Sequence, residues 1–357
     1  MGIRIISFTE KGIGLSKRIA ELFESEVVEN FTKCSMAMEG ELFLPVRYVE
    51  EGIAEWAKKQ MTEKHTLIFI GACGIAVRAI APYVMDKLYD SAVLVVDEKG
   101  DYIIPILSGH VGGANEIAVK IAAEIGAVPV ITTATDISRK FAVDLFAKRN
   151  GLHVENRDGI AKVSSKILAG KQVILAVEQG HLDNNVCIPE DVIISEFQTK
   201  LDVEADVVIT TKDGEKGALL TLKPKEYIVG IGCKRGKEEE KLNQFILKNL
   251  EEIGISTEQI MTVASIDKKK NEPGLVAWCR KQQIPFLTYT AEYLQQISGD
   301  FTASDFVKSQ VGVDNVCERA ALAACEYGGR LVYRKCVEDG MSIAIAKREW
   351  RVRFDEK

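Results

Sequence analysis

The stretch VVDEKGDYIIPILSGHVGGANEIA, residues 95–118, decides how this chain is to be read. It begins inside an apolar run and turns at Asp97-Glu98-Lys99-Gly100. It enters a second apolar run at Ile103–Ile106, then breaks at Ser108-Gly109-His110. After Gly112 and Gly113 the period changes. Ala114, Ile117, Ala118, Ile121, Ala122 and Ile125 recur at helical spacing, and Gly126 closes the run. Short apolar strands followed by an amphipathic helix indicate α/β architecture.

Working outward, the same alternation recurs. Strands are expected at Ile3–Phe8, Leu67–Ile70, Val93–Val96 and Val128–Ile131, with a helix through Phe23 after the turn at Gly12 and Gly14. At 357 residues the chain is too long for one small core. The pattern predicts a multi-domain α/β protein: an N-terminal α/β domain over 1–137, a smaller middle α/β domain over 138–224 and a C-terminal α/β domain over 225–357. In the middle part, helices are expected over 141–148 and 160–168 and a strand at Val173–Val177. Residues 206–211 and 218–222 read as a hairpin around Asp213-Gly214. After the break at Lys223-Pro224-Lys225 come a strand at Tyr227–Ile231, a glycine turn over 230–237 and a helix. That helix has an acidic first turn and a stripe of Leu242, Phe245, Ile246, Leu250 and Ile253. Asn315 with Glu318 reads as a helix cap, and strands at Arg330–Tyr333 and Ser342–Ala346 end the pattern.

Composition excludes several classes. The formal charge of −6 argues against a general attraction to nucleic acid or anionic membranes. No apolar run approaches the ~20 residues of a membrane span. The opening MGIRIISF moves straight into a strand pattern and lacks a signal peptide's layout, so a cytoplasmic protein is expected. Eight cysteines without a CxxC pair suit reduced thiols, and four dispersed histidines suggest no metal site by spacing.

Four segments carry chemistry. In GACGIAVRAIAP (71–82) a glycine turn precedes a helix, and its N–H groups suit a carboxylate or phosphate. Gly71 and Gly74 are spaced wrongly for a dinucleotide fingerprint, and Arg78 adds a cation one turn in. In 95–118, Asp97 and Glu98 end a strand, and Ser108 and His110 close the next. Asn115 and Glu116 begin the helix. A histidine there is a natural general acid or base, or it only caps a turn, and spacing does not separate the two. Ser108 lacks the GxSxG context of a nucleophile elbow. ITTATD (131–136) offers the hydroxyls of Thr132 and Thr133 to a helix cap or to a ligand. In GIGCKRGK (230–237), Gly232 and Gly236 are one residue too close for a phosphate loop, which disfavours a nucleotide. Lys234 and Arg235 suit a carboxylate-rich ligand. Cys233 reads as a buried turn cysteine rather than a nucleophile.

Taken in order, these segments resemble the cobalt-precorrin-5A hydrolases, the G proteins of the anaerobic cobalamin pathway. SIDKKKNEPGLVAWC (265–279), FTASDFV (301–307) and VGVDNVCERAALAA (311–324) extend the resemblance. It runs from about residue 43 to 348 and is weakest over 138–222. The C-terminal part is also similar to a small stand-alone protein of the aerobic pathway. The resemblance implies a substrate that is a cobalt-bearing, ring-contracted tetrapyrrole with a δ-lactone. Water opens the lactone, acetaldehyde leaves and cobalt-precorrin-5B remains. Cobalt is carried by the substrate, so neither a resident metal nor a cofactor is expected.

Lactone hydrolysis needs a base for water and donors for a tetrahedral oxyanion. His110 is the candidate acid/base, with Asp97 or Glu116 to orient it. The N–H groups of Gly112 and Gly113 are candidates for the oxyanion site. Gly71, Gly74, Arg78, Ser108, Asn115, Thr132, Thr133, Lys234 and Arg235 are candidates to hold the macrocycle and its carboxylates. The competing reading is a non-catalytic tetrapyrrole-binding partner of the corrin pathway. No nucleic-acid or membrane partner is expected, and homodimerisation is left open.

Overall fold

The computed structural model describes residues 2–23, 27–35, 46–86, 90–110, 112–133, 140–183, 187–198, 204–212, 217–303, 309 and 312–354. The chain divides into two compact units, Met1–Lys140 and Phe141–Lys357.

The first unit is built on a seven-stranded sheet. Its strands are β1 (Ile3–Ser7), β2 (Val28–Thr32), β3 (Val46–Tyr48), β4 (Thr66–Ile70), β5 (Val93–Val96), β6 (Tyr102–Leu107) and β7 (Val128–Pro129), in the order β3-β2-β1-β4-β5-β6-β7. The run from β3 to β5 is parallel. β6 then reverses, with Val96 opposite Ile103 and Val93 opposite Leu107, and β7 runs parallel to β6. Helices α1 (Glu10–Glu21) and α4 (Ala114–Ile125) cover one face, over Ile3, Ile5, Ile68, Ile70, Leu94 and Val96. Helices α2 (Ile53–Thr62) and α3 (Cys73–Ile80) cover the other, over Ile6, Leu67, Phe69, Val93 and Val95. Because both faces are buried, these strands are continuous apolar runs rather than alternating ones. That is why they stand out in the sequence.

The second unit carries two five-stranded sheets. The first has β8 (Leu152–Val154), β9 (Val173–Glu178), β10 (Val192–Phe197), β11 (Val207–Ile209) and β12 (Leu220–Pro224), ordered β10-β9-β11-β12-β8. It is accompanied by α5 (Val143–Arg149) and α6 (Asp158–Leu168). The expected hairpin does not form: β11 and β12 pair in parallel, Val207 with Leu220 and Ile209 with Leu222. An apolar run looks the same in either direction, so the sequence pattern is blind to this reversal. Asp213-Gly214, which suggested the turn, lies outside the described residues.

The second sheet of this unit has β13 (Tyr227–Cys233), β14 (Ile260–Ile266), β15 (Phe286–Tyr289), β16 (Gly329–Glu338) and β17 (Met341–Arg348), ordered β15-β14-β13-β17-β16. Helices α7 (Glu239–Glu252) and α8 (Pro273–Gln282) cover one face, including the predicted stripe of Leu242, Phe245, Ile246 and Leu250. Helices α9 (Ala291–Gln296) and α10 (Cys317–Ala323) lie on the other. The glycine turn begins later than expected, because Gly230 to Cys233 are strand, paired antiparallel with Ala344 to Met341. Gly230 is a packing glycine: a Cβ there would lie 1.8 Å from the Cys317 carbonyl oxygen. The Asn315–Glu318 cap forms, with Asn315 Oδ1 accepting the Glu318 N–H at 2.9 Å and Asn315 Nδ2 donating to Glu318 Oε2 at 2.7 Å.

The C-terminal segment ties the two sheets of this unit together. Val352 bridges Leu182, and the His181 ring stacks on Trp350 at 3.8 Å. Asn150 Nδ2 donates to the Arg353 carbonyl and its Oδ1 accepts the Arg353 N–H. Phe354 completes a cluster with Phe141 and Phe146.

Candidate functional site

The loop between β6 and α4 is folded tightly on the start of the helix. Ser108 O accepts the Ala114 N–H at 3.3 Å, Gly109 O accepts the Asn115 N–H at 2.8 Å and His110 O accepts the Gly113 N–H at 3.1 Å. Gly113 is left-handed at φ 84°, and a Cβ on Gly112 would lie 2.3 Å from Ser108 Cβ. These glycines therefore serve the close turn itself. This corrects the expected oxyanion pair, since the Gly113 N–H is already used inside the loop.

Ser108 is a non-glycine residue in the left-handed region, at φ 51°. Its hydroxyl is buried with no hydrogen-bond partner among the described residues. Such a backbone costs on the order of 1–3 kcal/mol, and a buried unpaired hydroxyl adds to that. Strain of this kind concentrates where a ligand is met. Asn115 is buried, and its amide donates to Thr133 Oγ1 at 3.0 Å, joining the helix start to the segment after β7. Thr132 is exposed, His110 is half-buried and Glu116 is exposed in the first turn of α4. The other three histidines lie away from this loop. His65 accepts the Gly2 N–H, His153 faces Glu258, and His181 holds Trp350.

The reversal at β6 splits the expected site. β1, β4 and β5 end together, at Thr9, Gly71 and Asp97-Glu98, where Thr9 Oγ1 donates to Glu98 Oε1 at 2.6 Å. The carboxyl end of β6 lies at the opposite edge. Asp97 accepts the N–H groups of Lys99 and Tyr102, at the start of β6, so five strand steps, about 17 Å, separate it from His110's end. Asp97 is a turn residue and does not orient His110. Glu116 lies at His110's end. Gly71 donates its N–H to Val96 O, and exposed Arg78 folds back to donate to Gly74 O at 3.3 Å. The structure thus brings Ser108, His110, Gly112, Gly113, Asn115, Glu116, Thr132 and Thr133 together, and leaves Gly71, Gly74 and Asp97 elsewhere. The short link from Val96 to Tyr102 held this signal, since a parallel crossover needs a dozen or more residues.

In the second unit, Lys234 and Arg235 follow β13 as exposed cations with no carboxylate partner among the described residues. Parallel β14 ends beside them in Asp267-Lys268-Lys269-Lys270, so the lysine run shares the same sheet edge. In the sequence these lysines stand out only through the family resemblance. Their signal was position, a basic run directly after a strand parallel to β13. Buried Glu272 binds this edge together, accepting the Gly236 N–H at 2.6 Å and pairing with Lys269 at 2.8 Å. Burial raises the Glu272 carboxyl, but the Lys269 pair and the backbone N–H groups outweigh it and hold it below the ordinary 4.5. Burial pushes the Cys233 thiol up to about 11, so it is protonated at neutral pH and is no nucleophile.

A depressed folded value gives stability that is present above the ordinary carboxylate range and lost as pH falls through the folded value. Glu272→Gln is therefore expected to cost about 1–3 kcal/mol at pH 7. The difference from the parent chain should shrink below the ordinary glutamate value of 4.5. Denaturant melts at pH 7, 5 and 3 check this, and a gap that is constant with pH refutes it.

Three family descriptions match the chain in order. They are Cobalamin synthesis G N-terminal over 55–136, Cobalamin biosynthesis central region over 141–222 and Cobalamin synthesis G C-terminus over 227–346. The chain is 32% identical to the cobalt-precorrin-5A hydrolase of Salmonella typhimurium, covering 96% of this chain and 97% of that protein. It is 31% identical to the cobalt-precorrin-5A hydrolase of Priestia megaterium, covering 96% and 94%. It is also 26% identical to Protein CobE of a Sinorhizobium species, over 37% of this chain and 87% of that protein.

Proposed function

The chain belongs to the cobalamin synthesis G family of cobalt-precorrin-5A hydrolases, and on that premise we propose that it opens the δ-lactone of a cobalt-bearing tetrapyrrole and releases acetaldehyde. One observation carries this reading: the match to a hydrolase of that name spans 96% of this chain, with all three family regions in order. Cobalt enters as part of the substrate.

The composition of the β6–α4 loop supports this reading. His110 removes a proton from the attacking water, and Glu116, at the same edge, is the carboxylate that orients it. The Ser108 hydroxyl, unpaired among the described residues, donates to the substrate. Water adds to the lactone carbonyl, and collapse of the tetrahedral adduct breaks the ring C–O bond. The freed oxygen then carries the retro-aldol cleavage, with His110 returning and removing protons. In the second unit, Lys234 and Arg235, with the exposed Lys268 and Lys270 after β14, are the cations suited to peripheral carboxylates of the macrocycle.

The direct test is acetaldehyde release from cobalt-precorrin-5A by the purified chain. A tetrapyrrole carrier binds the compound and yields no acetaldehyde. Replacing Lys234 and Arg235 together by Gln is expected to raise KM roughly tenfold while kcat stays within about twofold, because these contacts bind ground and transition states alike. Initial-rate kinetics check this, and an unchanged KM removes these cations from binding.

A further inference from the structure

The second unit holds a cavity of about 490 Å³ that lies apart from the cationic edge. Met261, Leu287, Tyr289 and Tyr293 are among its walls, and the two tyrosine rings stack at 5.3 Å with 15° between planes. Arg348 also lines it. It stands at the start of β13 in the register, beside Glu226, whereas Lys234 follows the other end. Seven residues of strand separate them, about 20 Å.

Arg348 is the unusual group. It is only 6% exposed, yet it forms no ion pair among the described residues. Its Nε donates to Lys225 O at 2.8 Å, while its Nη2 is buried with no partner among the described residues. The two nearby carboxylates are committed elsewhere. Glu226 pairs with Lys347 at 3.0 Å, and Glu326, itself on the cavity wall, pairs with Arg353 at 3.3 Å. A buried guanidinium without a counter-ion is costly and is normally found paired. Its planar fork matches a carboxylate.

We propose that this cavity is a carboxylate-binding site, in which Arg348 receives the carboxylate and the Tyr289–Tyr293 pair with Leu287 receives an apolar body. The volume suits a body of one ring and its substituents, in the ordinary range of small-ligand pockets. Two sources share this chemistry: a carboxylate arm at the edge of the tetrapyrrole, or a free small organic acid. Only the first rests on the hydrolase reading.

The test uses the full chain with two probes, 3-phenylpropionate and the polycarboxylate corrinoid cobyrinic acid, with heptamethyl cobyrinate as the uncharged control. Saturation-transfer NMR reads the first and absorbance titration the others. Arg348→Met should weaken Arg348-dependent binding of either acid at least tenfold. Tyr293→Ala, at an exposed ring, should weaken it several-fold, and it keeps the test open should the Arg348 variant fail to fold. Displacement of phenylpropionate by cobyrinic acid but not by its ester assigns the tetrapyrrole arm. Binding of phenylpropionate without displacement assigns a free acid. If neither acid binds the parent chain, or both bind the two variants as tightly as the parent, the proposal is overturned. Acetaldehyde release measured on the same samples keeps failure of the hydrolase reading separate.

Discussion

His110→Ala is expected to lower acetaldehyde release by about 10²–10⁴-fold, the usual contribution of a positioned general acid or base. The substitution leaves one bond of the turn in place. His110 holds the turn through its backbone carbonyl, which accepts the Gly113 N–H, and alanine retains that bond. Tetrapyrrole affinity should stay within a fewfold of the parent. Single-turnover acetaldehyde release, with binding followed by absorbance, separates the two effects. Normal turnover by this variant would eliminate His110 from the mechanism. Asp97→Asn is the natural comparison, because Asp97 caps a turn at the other end of β6. It should affect stability more than the chemical step.

Gly230→Ala is expected to cost the second unit at least about 3 kcal/mol, the upper part of the range for overpacking a core. The added Cβ would sit 1.8 Å from the Cys317 carbonyl oxygen and 3.0 Å from Ala321 Cβ. The nearest obstacle is backbone, so no side-chain rotation relieves it. Strand β13 is central in its sheet, and α10 packs directly on it. Helix and strand must therefore part, or the substitution must unfold both. Urea unfolding followed by far-ultraviolet circular dichroism measures the loss. Gly236→Ala is a useful contrast: nothing lies within 4 Å of its Cβ position, so its cost comes from its φ of 76° alone. Equal losses at the two glycines would refute the packing account.

Much of the molecule was legible from pattern. The runs at 67–70 and 93–96, and the stripe from Ala114 to Ile125 closed by left-handed Gly126, have the expected bounds within a residue or two. Each depends on local periodicity and local turn chemistry. The Asn315–Glu318 cap was legible for the same reason, as a contact between residues three apart. Arg348 was not singled out. Its burial, and the lack of an ion-paired carboxylate among the described residues, are set by β13, the segment after α10 and the walls around it, none of them its neighbours in sequence.

By itself, then, the sequence determined the α/β class, the positions of most strands and helices, and the family through motifs kept in order. Tertiary structure decided strand direction and therefore which motifs share an edge. An apolar run has no polarity, so the antiparallel turn into β6 and the parallel pairing of β11 with β12 depend on partners and connections. That choice sends Asp97 to one edge of the sheet and His110 to the other. It also sets the lysines after β14 beside Lys234 and Arg235, because β13 and β14 run the same way.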